Sequence, residues 1–388
     1  MQSIGILGPG YVGLATAASF AARGFVVVCA DLNTEKITTL QRGDLPFFEE
    51  GMLDVFHVAS TPVVFTTDLG QACTCDIVFC CVGTPSAGDG SADLSYVHSA
   101  AHACADIAPG KLFVIKSTVP PGTSRAVAAE VEHRLRVVAN PEFLREGNAV
   151  YDGVHPSRIV LGADDAASME VLKSVYVGVD APIVATDTVT AEMVKYASNS
   201  FLATKISFIN EIANLCDVVG ADVRSVAHGM GLDDRIGAKF LQPGPGYGGS
   251  CFPKDVRALM HLGESVGVPL QILSATAAVN FERQALPYCR LIDALGSLQG
   301  KRIAVWGLAF KPGTDDVRDA PALALLQRCL ADGADVVAYD PCVKQLSQEF
   351  SSVSMGVDAR HTTTNADALV VMTDWPEFAE IDRGAILG

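Results

Sequence analysis

Ile4-Gly5-Ile6-Leu7-Gly8-Pro9-Gly10-Tyr11-Val12-Gly13 is the stretch that decides the fold of this chain. Ile4 to Leu7 reads as a strand, the glycines follow it directly, and Tyr11 to about Arg23 carries a helical pattern that Gly24 stops. A second strand, Phe25 to Ala30, ends in Asp31, 18 residues after Gly13. GxGxxG alone is weak evidence. Here it lies between a strand and a helix, with a carboxylate closing the next strand, which is the context a dinucleotide requires. The glycines allow a tight turn and close approach to a pyrophosphate, and the carboxylate takes the ribose hydroxyls. Gly8, Gly10, Tyr11, Val12 and Gly13 are therefore candidate cofactor contacts. Asp31 would repel a 2′-phosphate, which favours NAD over NADP.

Working outward, apolar runs at Asp76–Val82, Leu112–Thr118 and Arg136–Asn140 continue the alternation of strand and helix. They end in Gly83-Thr84-Pro85, in Ser117-Thr118-Val119-Pro120-Pro121-Gly122 and in Asn140-Pro141-Glu142. Ligands of open parallel sheets sit beyond the carboxyl ends of strands, so these tips should line one crevice. Thr118, Glu142 and Glu146 are its chemically interesting occupants, and the two glutamates share a face if that segment is helical. After strand-like runs at Arg158–Leu161 and Ile183–Ala185 comes a helical pattern from Thr190, read as its N-cap, to Val219, with Gly220 beyond. At 1.5 Å per residue it makes a rod of about 45 Å, enough to connect two domains. Lys195 and Asn199, four apart, point the same way; a lysine facing inward from so apolar a helix needs a purpose and has a lowered pKa. A further helical run spans Pro269–Leu295. A second α/β unit follows from Lys301: strands Arg302–Trp306, Asp335–Tyr339 and Ala368–Met372 and a helix from Pro321 to about Asp332, without the fingerprint.

Gly244-Pro245-Gly246-Tyr247-Gly248-Gly249-Ser250-Cys251-Phe252-Pro253-Lys254-Asp255 is the stretch with the most chemistry. Four glycines in six positions leave the backbone open to another molecule. Pro253 suits the first turn of a helix over Lys254–Val266, which puts Cys251 at a helix N-terminus. That field and the Lys254 charge favour the thiolate, a nucleophile. A cysteine that only fills space needs neither the glycines, nor the helix start, nor Asp255.

Composition bounds the partners. A net charge of −16 argues against nucleic acid and anionic membrane, so anionic ligands must be held by local turns, helix ends and a few placed cations. No signal peptide and no run of ~20 apolar residues is expected. That reading makes the protein cytoplasmic, its eleven cysteines reduced. Cys73, Cys75, Cys80 and Cys81 lack metal-ligand spacing, and no metal is expected.

The chain resembles the UDP-glucose/GDP-mannose dehydrogenase family. The resemblance rests on Gly8–Gly13, Gly83-Thr84-Pro85, Ser117–Gly122, Asn140 through Gly147, Lys195 with Asn199, Gly248–Asp255 and Ala309-Phe310-Lys311-Pro312, in the family's order. It implies an α/β protein with two Rossmann-like, doubly wound domains joined by a long central helix in an all-α dimerisation region. The corresponding boundaries are an NAD-binding domain at 1–188, a central helical domain at 189–295 and a nucleotide-sugar (UDP) domain at 296–388. It further implies a homodimer or higher homo-oligomer that oxidises the C6 alcohol of a nucleotide sugar to a carboxylate with two NAD⁺, releasing no aldehyde.

The residue roles come from the same resemblance. Asp255 takes the hydroxyl proton, Lys195 stabilises the oxyanion, Asn199 helps to hold that oxygen and Thr118 positions a water. Cys251 forms a thiohemiacetal and then a thioester, and Glu142 is the base for hydrolysis. Cofactor contacts extend to Lys36, Thr84, Pro85, Thr118, Glu146, Lys254 and Arg318. Substrate contacts are Glu142, Phe143, Leu144, Arg145, Glu146, Lys195, Asn199, Phe240, Leu241, Gln242, Gly244, Gly248, Phe252, Phe310 and Lys311, with Arg235 reaching in from a partner subunit. Gly147 and Pro156-Ser157-Arg158-Ile159-Val160 look more like the UDP-glucose branch than the GDP-mannose one. Gln242 stands where many relatives carry Lys or Arg, so one charge contact is missing there. The chain ends at Gly388, soon after Thr373-Asp374-Trp375-Pro376-Glu377, where the family continues; either the substrate site closes differently or the chain is trimmed. GDP-mannose oxidation is the rival reading. A β-hydroxyacid dehydrogenase would not use Cys251, and a non-catalytic NAD-binding sensor would need no Cys251, Lys195 and Asp255 together.

Overall fold

The computed structural model describes residues 2–58 and 61–381, and the chain divides into two compact units, 1–198 and 199–388. The last seven residues of the expected 296–388 domain lie outside the described residues.

The first unit is built on eight strands: β1 (Ser3–Leu7), β2 (Val26–Ala30), β3 (Val63–Thr66), β4 (Ile77–Cys80), β5 (Leu112–Ile115), β6 (Arg136–Ala139), β7 (Ile159–Gly162) and β8 (Ile183–Thr186). They lie in the order β3-β2-β1-β4-β5-β6-β7-β8. The first six form the doubly wound arrangement that the opening motif predicts, and β3 is a strand the sequence reading passed over. Side chains alternate across the sheet as the period of two requires. Ile77, Phe79, Leu112 and Val114 join one buried cluster, and Val78, Cys80, Phe113 and Ile115 another on the opposite face. With both faces covered, β4 and β5 are apolar throughout, as buried parallel strands are.

The sheet departs from a purely parallel one at β7, which meets β6 antiparallel through the single pair Ala139↔Gly162. The two strands overlap only at their ends. As a result β7 runs beside the residues that follow Ala139, and Asn140 Nδ2 donates to the Val160 carbonyl at 2.9 Å.

The long helix spans Thr188–Val219, 32 residues or about 48 Å. It begins two residues before the expected cap: Asp187 accepts from the Thr190 N–H (3.1 Å), so Asp187, not Thr190, satisfies that end. The division between the units falls inside this helix.

The second unit contains β9 (Arg302–Trp306), β10 (Asp335–Tyr339), β11 (Ser354–Met355) and β12 (Ala368–Val371), parallel in the order β11-β10-β9-β12. Its core joins Ile303, Val305, Leu325, Leu326, Val336 and Ala338. Helices Phe252–Ser265 and Gln271–Leu295 precede this sheet, close to their expected bounds. Among the described residues no helix is long and apolar enough to cross a membrane.

Candidate active site

In the first unit the turn after β1 is shaped for a dinucleotide. Gly8 has φ +85°, and a Cβ there would lie 2.9 Å from Val82. A Cβ on Gly13 would meet the Gly8 carbonyl at 2.3 Å, so helix and turn touch backbone to backbone. Gly10, the N-cap of Tyr11–Ala22, has open space where a Cβ would stand and makes no side-chain cap. The first-turn amides, those of Tyr11 and Val12 included, thus start from a glycine with no Cβ in the way, which suits a pyrophosphate. Asp31, at the end of β2, accepts from the Asn33 N–H (2.9 Å) and from Lys36 Nζ (2.6 Å), which orients its carboxylate. These residues fit NAD.

The second unit makes the contrast clear. There the amides of Leu308 and Ala309, just after β9, donate to the buried Asp340 carboxylate (2.8 and 3.1 Å), which also takes the N–H groups of Cys342 and Val343. In the second unit the amides that follow the first strand are thus satisfied by an internal carboxylate, Asp340, which closes β10 as Asp31 closes β2.

The tips of β4, β5 and β6 are neighbours on the sheet, and Thr84 Oγ1 donates to the Thr118 carbonyl at 2.9 Å. The segment from Pro141 to Gly147 is irregular, not helical. Pro141 disfavours helical backbone at Asn140, whose side chain is tied to β7, and with no helix there Glu142 and Glu146 do not share a helical face. Glu142 is no solvated helix start either. It is 5% exposed, accepts from the Leu144 N–H (2.5 Å) and pairs with Lys195 Nζ at 2.8 Å, itself 4% exposed. Burial alone would push the Glu142 carboxyl up, but Lys195, the Leu144 amide and the Lys116 charge outweigh it and hold it below the usual carboxylate range. Phe143 lies against Lys195, with Nζ 5.4 Å from its ring centroid. Arg145 forks onto Asp152. Two carboxylates that the sequence reading missed brace this region. Glu49 accepts from the Gly147 and Ala149 amides, both at 2.7 Å, and Glu192 on the long helix accepts from Gly122 and Ser124 amides beyond Thr118. Their sequence surroundings are those of ordinary surface acids.

In the second unit Cys251 is the N-cap of Phe252–Ser265, with Pro253 in the first turn. Eight of the eleven cysteines are buried; of the other three, Cys251, Cys289 and Cys342, only Cys251 stands at a helix N-terminus. Its Sγ lies 3.5 Å from Ser250 Oγ. One turn on, Asp255 is 1% exposed; it accepts from Lys254 Nζ on one oxygen and Asn199 Nδ2 on the other, both at 2.6 Å. The glycine loop ahead of the thiol is pinned by side chains. Asn280 holds both the N–H and the carbonyl of Tyr247 (2.7 and 3.0 Å), and Asn210 accepts from the Gly244 N–H (2.8 Å). Gly249 (φ +84°) lies under the Phe310 ring, which a Cβ would meet at 2.8 Å, and a Cβ on Gly248 would meet the Asp319 carbonyl. Phe240 (φ 66°) and Tyr247 both pack edgewise on Phe252, and Leu241 is buried in its own cluster. Gln242 is exposed and Lys311 lies beside its neighbour Phe310. Arg318 forks onto Asp316. Arg235 is 89% exposed and paired with Asp233 of its own turn. Lys195 and Asn199 are one turn apart on the long helix, the former bound to Glu142 and the latter to Asp255.

A dinucleotide fold followed by a second α/β unit, with a thiol, two buried carboxylates and a buried lysine, defines an NAD-dependent oxidoreductase. Residues 2–180 match the NAD binding domain of the UDP-glucose/GDP-mannose dehydrogenase family, residues 189–282 its central domain and residues 304–387 its UDP binding domain. The chain belongs to that family, the NAD-dependent nucleotide-sugar dehydrogenases. It is 46% identical to a UDP-glucose 6-dehydrogenase of Rhizobium meliloti (strain 1021), over 98% of this chain and 91% of that one. It is 42% identical to UDP-glucose 6-dehydrogenase TuaD of Bacillus subtilis (strain 168), over 98% and 86%. A solved UDP-glucose dehydrogenase from the archaeon Pyrobaculum islandicum is similar with a TM-score of 0.95 and 40% identity, covering 98% of this chain and 92% of that chain.

Proposed function

We propose that this protein oxidises UDP-glucose at C6 to UDP-glucuronate in two successive steps. The observation that carries the reading is the half-buried Cys251 at a helix start whose next turn holds the buried Asp255 against Asn199. The names of the relatives support UDP-glucose over GDP-mannose. NAD, when bound at the Gly8–Gly13 turn, supplies the electron acceptor for each step.

Asp255 receives the C6 hydroxyl proton, with Lys254 and Asn199 keeping it oriented. Lys195 stabilises the negative charge that develops on the C6 oxygen. The Cys251 thiolate then adds to the aldehyde carbon, and oxidation of the resulting thiohemiacetal leaves a thioester on Sγ. Glu142, ionised at neutral pH by its cation, takes a proton from a water positioned with Thr118. That water cleaves the thioester and returns the thiol. In this reading the remaining sites predicted from the sequence bind substrate or dinucleotide, and Arg235, exposed here, completes a neighbouring subunit's site. Counting NADH per UDP-glucose consumed tests the whole scheme: two are expected with no aldehyde in solution, and one, or a preference for GDP-mannose, overturns it.

The division into 1–188, 189–295 and 296–388 is part of the same reading, as is a homodimer through the central region. Phe201, Phe208 and Leu215, spaced seven apart on the long helix, are exposed and need cover. A monomer at micromolar concentration in light scattering would contradict the dimer. A cytoplasmic location suits a working thiol and is checked by cell fractionation.

Cofactor choice is assigned to Asp31. Wild type should turn over NADP⁺ at least about 100-fold less efficiently than NAD⁺, in keeping with a charge clash at the 2′ position. Asp31→Ser should narrow that gap, because it frees Lys36, now 2.6 Å from Asp31, to meet a 2′-phosphate. Equal use of both dinucleotides by the wild type would remove Asp31 from the ribose.

A further inference from the structure

Arg158 belongs to the Pro156–Val160 stretch, to which the scheme above gives no task. Because β7 runs antiparallel beside the residues following β6, the residue that precedes β7 arrives next to Phe143. The Arg158 guanidinium carbon lies 3.8 Å from the Phe143 ring centroid, and Lys195 Nζ lies 5.4 Å from the same centroid. Arg158 Nη2 also donates to Ser198 Oγ at 3.2 Å, and Ser198 Oγ donates to the Val194 carbonyl at 2.6 Å. Ser198 is three residues beyond Lys195 on the long helix and next to Asn199. Arg158 thus touches both the residue following Glu142 and the helix that carries Lys195.

The guanidinium is half-buried, burial lowers its pKa, and among the described residues it has no carboxylate partner. A methionine or leucine would cover the Phe143 ring without that desolvation cost. The charge therefore has a use beyond packing, and its surroundings define the use: a planar cation stacked on the ring and hydrogen-bonded to the helix holds one against the other.

We propose that Arg158 is a positioning residue for the Lys195–Glu142 pair, clamping the Phe143 ring and Ser198 so that ammonium and carboxylate keep their geometry during oxidation and hydrolysis. This rests on the roles given to Lys195 and Glu142 above.

The test compares wild type, Arg158→Met and Arg158→Lys with UDP-glucose and NAD⁺ across pH. Arg158→Met keeps the stem on the ring and loses the charge. Its kcat should fall about tenfold, with KM for NAD⁺ within about twofold and KM for UDP-glucose rising less than kcat falls, since displacement of the pair acts mainly on the chemical steps. Its acid limb should also move to higher pH, because a loosened pair lets burial raise the Glu142 carboxyl. Arg158→Lys, which keeps a cation on the ring but not the planar stack, should recover part of kcat. Should Arg158→Met fail to fold, Arg158→Gln replaces it with the same expectation. A charge-free variant within about twofold of wild type in kcat and with an unmoved acid limb would overturn the proposal. So would Arg158→Lys as impaired as Arg158→Met. The wild type tests the functional reading separately: if it prefers another nucleotide sugar, that sugar serves for all variants and the comparison stands.

Discussion

Cys251→Ser is expected to oxidise the sugar alcohol once and then stall. The substitution keeps the N-cap position ahead of Phe252 and Pro253, and it leaves the Asn199–Asp255–Lys254 cluster and the Lys195–Glu142 pair in place. Every group assigned to the first oxidation therefore survives. The second requires an anion at position 251, and a serine alkoxide is far harder to generate there than a thiolate at a helix N-terminus. Carboxylate formation should drop by at least about 10³-fold. The product to look for is sugar at the aldehyde level; whatever passes the second oxidation is trapped as an ester on the introduced hydroxyl and found by mass spectrometry of the intact chain. If the variant made carboxylate at close to the wild-type rate with two NADH per sugar, the thiol would be a packing residue and the covalent scheme would fail.

Lys195→Ala should suppress the earlier step and also weaken the fold. Loss of the cation facing a developing oxyanion costs about 10²- to 10³-fold in kcat. It also strands Glu142, 5% exposed, with the Leu144 amide and the more distant Lys116. Breaking a buried pair from one side costs about 3–5 kcal/mol. The sign of the pH dependence separates this from a general loss of packing. In wild type the Glu142 carboxyl is depressed, so its contribution to stability is present above the unfolded pKa and is lost as pH falls through the folded one. In Lys195→Ala burial dominates and the folded pKa rises above the unfolded value. Its contribution is then fullest below the unfolded pKa and is lost as pH rises through the folded one. Denaturant midpoints at several pH values should show the variant's deficit growing from acid toward neutral pH. A deficit independent of pH would mean that Glu142 does not depend on Lys195.

Within the fold, the residues left unread by sequence reasoning share a cause. Glu49 and Glu192 are buried acids that satisfy backbone amides of distant loops, and nothing in their immediate neighbours distinguishes them from surface acids. The condition under which Glu142 and Glu146 would share a face, a helix over that segment, is not met: it is irregular, with a proline at its start and Asn140 tied to β7.

What the sequence determines by itself is local or periodic. Glycines between a strand and a helix specify the dinucleotide turn, alternation specifies which side of the sheet each residue faces, and Pro253 specifies the helix start that puts Cys251 at its cap. These depend on contacts a few residues apart, which a reader of the chain can count. Only the tertiary structure decides who partners whom: Lys195 takes Glu142, 53 residues away, and Asn199 takes Asp255, 56 residues away. The reversal at β7 is also tertiary, and it carries Arg158 to Phe143. The physical reason is that a charge in water has many acceptable neighbours, whereas a buried one has few, and the whole fold must bring them to it.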